Sequence, residues 1–235
     1  LLERHAMDVV NDGARTLEIR RGHKQFIYVG DVAQYLLDTI IETEDPKFYQ
    51  HRGFDPRGFR RALVENLKAG RYVVGSSSIT MQVAKNTQLG GQRNLGRKLT
   101  ELLLAWHLEQ IVYKDRILEI YVNIAEFGPG IYGLVAAADH FFAKHPSDLL
   151  PREAAFLASL LPAPTYNYRY FCRGEFDDRM KHKVRRALGL ALASGKLLKE
   201  EWELATSTHL TFGPRSESEA DCMARSWTAD ERARH

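Results

Sequence analysis

The chain has 235 residues, 44% of them hydrophobic and 27% charged, enough to bury a substantial core and inconsistent with disorder or a fibrous repeat. Its 33 Lys+Arg against 30 Asp+Glu leave a formal charge of +3, too mild to indicate a nucleic-acid binder. Residues 171–235 hold 12 basic and 11 acidic residues, so the surplus is not a basic tail.

In chain order, loose alternation over 16–29 (Leu17, Ile19, Phe26, Tyr28) with a turn near Gly22 predicts a hairpin. After Asp31, a helix carries the stripe Val32, Tyr35, Leu36, Thr39, Ile40 and Thr43. It stops at Glu44-Asp45-Pro46, because proline disfavours helix in the residue before it. Asp55-Pro56 opens a second helix that Gly70 closes. The loop Gly75-Ser76-Ser77-Ser78 leads into a helix over 79–85, capped by Ser78, and further helices follow over 97–112 and 115–123. Gly128-Pro129-Gly130 breaks the pattern before two apolar helices at 133–142 and 152–161. Residues 175–203 read as a charged helix, and the polar stretch beyond Gly213-Pro214 as a loose end. The class is mainly α, with a minor β-hairpin near the N-terminus.

Cys172 and Cys222 are the only cysteines, and one disulfide or two free thiols are both open. The longest apolar run, 154–161, is broken by Ser159 and stopped by Pro162, far short of the roughly 18 residues of a membrane span. The first residues lack the order of a signal peptide, so the sequence predicts a soluble chain.

Two carboxylates stand out. Glu44 lies at the edge of a buried stripe where its helix stops, a setting that suits a general base. Its ordinary reading is a surface residue in the acidic run Glu42-Thr43-Glu44-Asp45. Glu101 shares a largely apolar helix face with Ala105, Leu108 and Val112, and its ordinary reading is an ion pair with Arg97. Between Lys85 and Glu101 stand four cations, Lys85, Arg93, Arg97 and Lys98, with Ser77, Ser78, Thr80 and Gln82 as neutral donors. Cations at a helix start oppose its macrodipole, an arrangement that a phosphate or pyrophosphate would offset.

Other patterns are weaker. His51 in its loop is more ordinarily a loop-holding residue than a metal ligand, and His140 and His145 do not share a helix face. Neither a phosphate-binding Gly-rich loop nor a dinucleotide fingerprint is present. The run Lys181-His182-Lys183-Val184-Arg185-Arg186 reads as a solvated helix face or a contact for an anionic membrane surface.

Five segments in order resemble the motifs of the peptidoglycan glycosyltransferases of family 51. Residues 44–53 (EDPKFYQHRG) are similar to ED-x-x-F-x-x-H-x-G, and residues 75–86 (GSSSITMQVAKN) to G-x-S-T-I-T-Q-Q-x-x-K-N. Residues 97–101 (RKLTE) resemble R-K-x-x-E, residues 114–123 (KDRILEIYVN) resemble K-x-x-I-L-E-x-Y-L-N, and 155–164 resemble the last motif. Residues 123–133 look most like the monofunctional biosynthetic transglycosylases, and the length leaves no room for a transpeptidase domain.

The resemblance implies a lysozyme-like, two-lobed helical domain over 1–170, with motifs within 30–165 and a C-terminal helical extension over 171–235 with a loose polar end. It implies polymerisation of lipid II at the periplasmic face of the bacterial inner membrane. Glu44 is then the catalytic base and Glu101 the second acidic residue. Arg61, Lys85 and Arg93 contact the lipid-linked pyrophosphate, with Ser77, Gln82 and Lys98 nearby. Asp45, Phe48, His51, Gly53, Thr80, Asn86, Arg97, Tyr121 and Asn123 support the site. No cofactor is tightly bound, and a divalent cation, Mg or Mn, is a candidate with Glu101 as its ligand. The implied partners are lipid II, the growing glycan strand, the membrane surface and other cell-wall synthesis proteins, and no nucleic acid.

Three departures from the family pattern stand out. Met81 replaces the first of the paired glutamines and removes an amide there. Ser78 replaces a threonine and keeps the hydroxyl. The resemblance also implies a membrane anchor before the domain, which the first residues of the chain do not resemble.

The chemistry distinguishes three readings. A transferase with a pyrophosphate leaving group needs a base and compensating cations. A lysozyme-like hydrolase needs an acid for its sugar oxygen. A non-catalytic module that binds anions through Arg57, Arg60, Arg61 and the cation cluster needs no carboxylate at all.

Overall fold

The computed structural model describes residues 7–11, 15–19, 21–70, 75, 77–88, 95–215 and 217–226; of the side chains at 7–11, 15–19, 63, 87, 88 and 95–97 nothing is described. Contacts group the chain into two compact units, one from 1–29 and 44–124, the other from 30–43 and 125–235.

In the first unit, β1 (Met7–Asn11) and β2 (Arg15–Ile19) form an antiparallel hairpin, pairing Met7 with Ile19 and Asn11 with Arg15. The hairpin therefore lies N-terminal to the predicted one, and 21–29 is not its second strand. The reason is that side chains satisfy the backbone of that segment. In α5 (Lys114–Ile124), Asn123 Oδ1 accepts from the Ile27 N–H at 2.9 Å and its amide donates to the Ile27 carbonyl at 2.8 Å. Glu119 accepts from the Val29 N–H at 3.2 Å.

Helix α1 (Gln34–Glu44) ends as expected, one residue before Asp45-Pro46. Asp55 accepts from the Arg57 N–H and caps α2 (Pro56–Ala69), which Gly70 closes at a φ of 61°. In α3 (Ile79–Gln88), the Ser78 hydroxyl accepts from the Met81 N–H at 3.0 Å, an N-cap at the predicted residue. Helix α4 (Leu95–Ile111) packs on α3, as does α5, whose residues from Ile117 to Ile124 are all buried.

The second unit holds a short hairpin, β3 (Glu126–Gly128) and β4 (Ile131–Tyr132), and helices α6 (Leu134–Phe142), α7 (Pro151–Leu160), α8 (Pro164–Asn167) and α9 (Arg169–Arg173). Its core is aromatic. Phe141 sits 5.7 Å from Phe156 and 5.1 Å from Phe171, while Phe212 lies 5.2 Å from Phe156. Each fully buried Phe contributes about 1.5–3 kcal/mol from area alone.

The single charged helix expected over 175–203 is two helices, α10 (Asp178–Ala193) and α11 (Lys199–Ser207). Gly195, at a φ of 71°, separates them with a backbone conformation that other residues rarely adopt. The end beyond Gly213-Pro214 is not loose through Ser226. It forms α12 (Glu219–Ser226), and a Cys172–Cys222 disulfide ties it to α9. Arg225 donates to the Tyr168 hydroxyl at 2.8 Å, and Arg215 donates to the Phe171 carbonyl at 3.0 Å. A cross-link and polar ties thus replace the apolar periodicity missing from the sequence.

Candidate active site

The first and second motifs meet in the first unit. Asp45, 6% exposed, follows the end of α1 and accepts from the Ile79 N–H at 3.1 Å, at the start of α3. Both its oxygens lie 2.9 Å from His51 Nε2. The Ser78 hydroxyl donates to the Gly53 carbonyl, which closes the loop from the other side. Gly53 has a φ of 87°, and a Cβ there would sit 2.7 Å from the Trp106 backbone nitrogen, so no larger residue fits. Phe48 is fully buried, with the Lys114 ammonium 4.3 Å from its ring centroid. These contacts make Asp45, Phe48, His51 and Gly53 the frame that fixes where α1 stops.

Glu44 stands at that stop. The Gln82 amide donates to its Oε2 at 2.7 Å, joining the carboxylate to α3. Tyr121, buried in α5, sits beside both. Burial, together with the carboxylates of Glu44 and Asp45, pushes the Tyr121 phenol well above its ordinary value. Tyr121 therefore stays a neutral hydroxyl next to Glu44. Lys85 and Asn86, half-buried on α3, follow Gln82 by three and four residues and share its face of the helix.

A second cluster surrounds Glu101, which is 4% exposed. Lys98 donates to Glu101 Oε2 at 2.9 Å and to the Ser77 hydroxyl at 2.7 Å. Among the described side chains Glu101 forms an ion pair with Lys98, three residues away; the side chain of Arg97, the partner expected from the sequence, lies outside them. Arg93 also lies outside them. Arg61 is exposed on α2.

Thr80, fully buried, donates to Glu109 at 2.5 Å, and Lys114 donates to the same carboxylate at 2.7 Å. Sequence reasoning passed over Glu109, although it lies on the apolar side of α4 as Glu101 does. Asn123 holds Ile27 through both atoms of its amide.

Met81 is fully buried. It occupies a core position on α3, so a glutamine there would bring an amide into an apolar setting rather than restore a contact with substrate.

Among the described residues, no group of three or more His, Cys, Asp and Glu side chains could hold a metal ion. Glu101 itself is engaged by the Lys98 ammonium. These residues by themselves do not fit a divalent ion.

The chain is similar to known proteins. Residues 12–188 match the family described as Transglycosylase. The biosynthetic peptidoglycan transglycosylase of Alcanivorax borkumensis is 45% identical over 139 residues, 59% of this chain and 57% of that protein. Its counterpart in Acinetobacter baylyi is 39% identical over 155 residues, 66% of this chain and 67% of that one. The chain thus spans little more than half to two thirds of the length of these relatives. A solved structure, penicillin-binding protein 1A from Haemophilus influenzae, covers 90% of this chain and 21% of its own at 21% identity, with a TM-score of 0.46. The family match runs through all five motifs and through both residue clusters just described, and on that ground the chain belongs to the Transglycosylase family.

Proposed function

We propose that the chain is a peptidoglycan glycosyltransferase that polymerises lipid II into β-1,4-linked glycan strands and releases undecaprenyl pyrophosphate with inversion. The observation that carries this reading is the Gln82–Glu44 contact of 2.7 Å, which aims the carboxylate at the end of α1. A sugar hydroxyl is a poor nucleophile, so Glu44 takes its proton as it attacks the anomeric carbon. Gln82 and the neutral Tyr121 hydroxyl orient that carboxylate.

The leaving pyrophosphate needs positive charge rather than a proton. Lys85, Arg93 and Arg61 supply it, while Glu101 orients Lys98 and Lys98 orients Ser77. A divalent ion, Mg or Mn, would reach this site only together with the pyrophosphate. The hydrolase reading is weaker because its second carboxylate must donate a proton from an apolar setting, and Glu101 is engaged by an ammonium.

The substrate's lipid tail sets the work at the periplasmic face of the bacterial inner membrane, with the membrane surface, the growing strand and other cell-wall synthesis proteins as partners. No helix among the described residues is long and apolar enough to cross a membrane. Incubating the purified chain with lipid II tests the proposal. Glycan polymer is the expected product. Release of sugars from finished cell wall without polymer supports the hydrolase instead.

A further inference from the structure

Unit two contains a cavity of about 690 Å³ between α10, the end of α11 and the start of α7. The proposed reaction does not use it. Its size falls within the roughly 300–1,000 Å³ of small-ligand sites. Three features of its lining bear on what fits.

The first is a pair of guanidinium groups. Arg152 donates through one Nη to the Ala205 carbonyl at 2.5 Å, whereas its buried Nε has no hydrogen-bond partner among the described residues. Arg185, on the solvent-facing side of α10, also lines the cavity. Neither makes an ion pair among the described residues. Burial and the nearby Arg185 both lower the Arg152 guanidinium from its ordinary value, as expected for cations lacking a counter-charge.

The second is acidic. Glu175 lines the same cavity and makes no ion pair among the described residues, while Asp178 is 3.7 Å from Lys181. The third is apolar: Phe176, Val184 and Leu188 also line the cavity. A bare phosphate or a lipid headgroup would leave the partly exposed Phe176 ring uncovered and would meet Glu175, a carboxylate of its own sign. A ligand with both charges and an apolar body meets every part of the lining.

We propose that this cavity binds a short peptide carrying both carboxylate and ammonium groups, its carboxylate on Arg152 and Arg185, its ammonium on Glu175, and an apolar side chain over Phe176. Paired charge-assisted hydrogen bonds to guanidinium give such a site its selectivity. The natural source is the peptide arms of the glycan strand, an assignment that rests on the function proposed above; the peptide site itself does not.

The test uses the full chain and a synthetic tetrapeptide, Ala-Glu-Lys-Ala, with a free C-terminal carboxylate, followed by calorimetry. The controls are its Gln-containing C-terminal amide, inorganic phosphate, and glycan strands with and without their peptides. Saturable binding of the peptide with both carboxylates is expected. It should fall about ten-fold or more for the carboxylate-free peptide and for Arg185→Glu, an exposed change outside the proposed catalytic machinery. Peptide-bearing strands should compete, and stripped strands should not.

Polymerisation of lipid II should be unchanged in Arg185→Glu. Equal binding of the carboxylate-free peptide, no saturable binding, or phosphate binding as well as peptide does would overturn the site. A chain that polymerises lipid II yet binds no peptide overturns only this proposal. One that binds peptide yet makes no polymer overturns the activity and the assignment to strand peptides, and supports the site.

Discussion

The two units are organised by different means. Around α3 the buried set includes Asp45, Ser78, Thr80, Glu101, Glu119 and Asn123. Each is bonded to a specific partner, because a buried polar group left unpaired costs about 1–3 kcal/mol by mutational measure. Around α6 to α9 the interior is dominated by a cluster of rings, Phe141, Phe142, Phe156, Tyr168 and Phe171, with a disulfide at its margin and only Glu153, Ser159 and Asn167 as buried polar groups on those helices. Aromatic packing tolerates substitutions of similar volume. A network in which Asp45 must meet both Ile79 and His51 has little such freedom. The first arrangement sets atomic positions and the second supplies bulk stability.

The sharpest way to break that contrast is Asp45→Ala. It strands His51 and the Ile79 N–H in a buried setting, so a loss of about 3–5 kcal/mol is expected in denaturant unfolding, with loss of activity. A cost below about 1 kcal/mol, the usual value of an exposed pair, would mean that the polar network does not organise its unit.

Next in size is removal of the cross-link by Cys172→Ser with Cys222→Ser. The 50-residue separation corresponds to about 4 kcal/mol on the chain-entropy account, with about 2–4 the usual measured range. Unfolding should shift accordingly while lipid II polymerisation at low temperature survives. An unfolding midpoint that is the same with and without the disulfide would mean that the cross-link is not the source of that stability.

Met81→Gln is the smallest. Its amide enters a core position, and a loss of about 1–3 kcal/mol is expected, with substrate affinity no better than before. A rise in affinity at unchanged stability would restore a substrate-facing role for this position.

Much of the site was legible in the sequence. Glu44 stood out because a helix stripe ended on it, and Ser78 because a serine before an apolar run caps a helix. Glu101 stood out as a carboxylate on an apolar face. Lys98, beside the expected Arg97, also lies within one turn of Glu101, so spacing alone does not separate the two as partners. Glu109 was passed over, as its partners Thr80 and Lys114 come from other elements and no spacing rule links them. The hairpin was placed too late because alternation cannot tell a paired strand from a segment whose backbone is bound by Asn123 and Glu119. The end of the chain was called loose because a disulfide leaves no periodic trace.

The most direct test of Glu44 as the base is lipid II polymerisation by Glu44→Gln, with the melting curve measured beside it. The glutamine carbonyl can still accept from Gln82, so the fold should hold within a few degrees while the rate drops by about 10²–10⁴. Polymerisation at the wild-type rate by a folded variant would contradict the assignment.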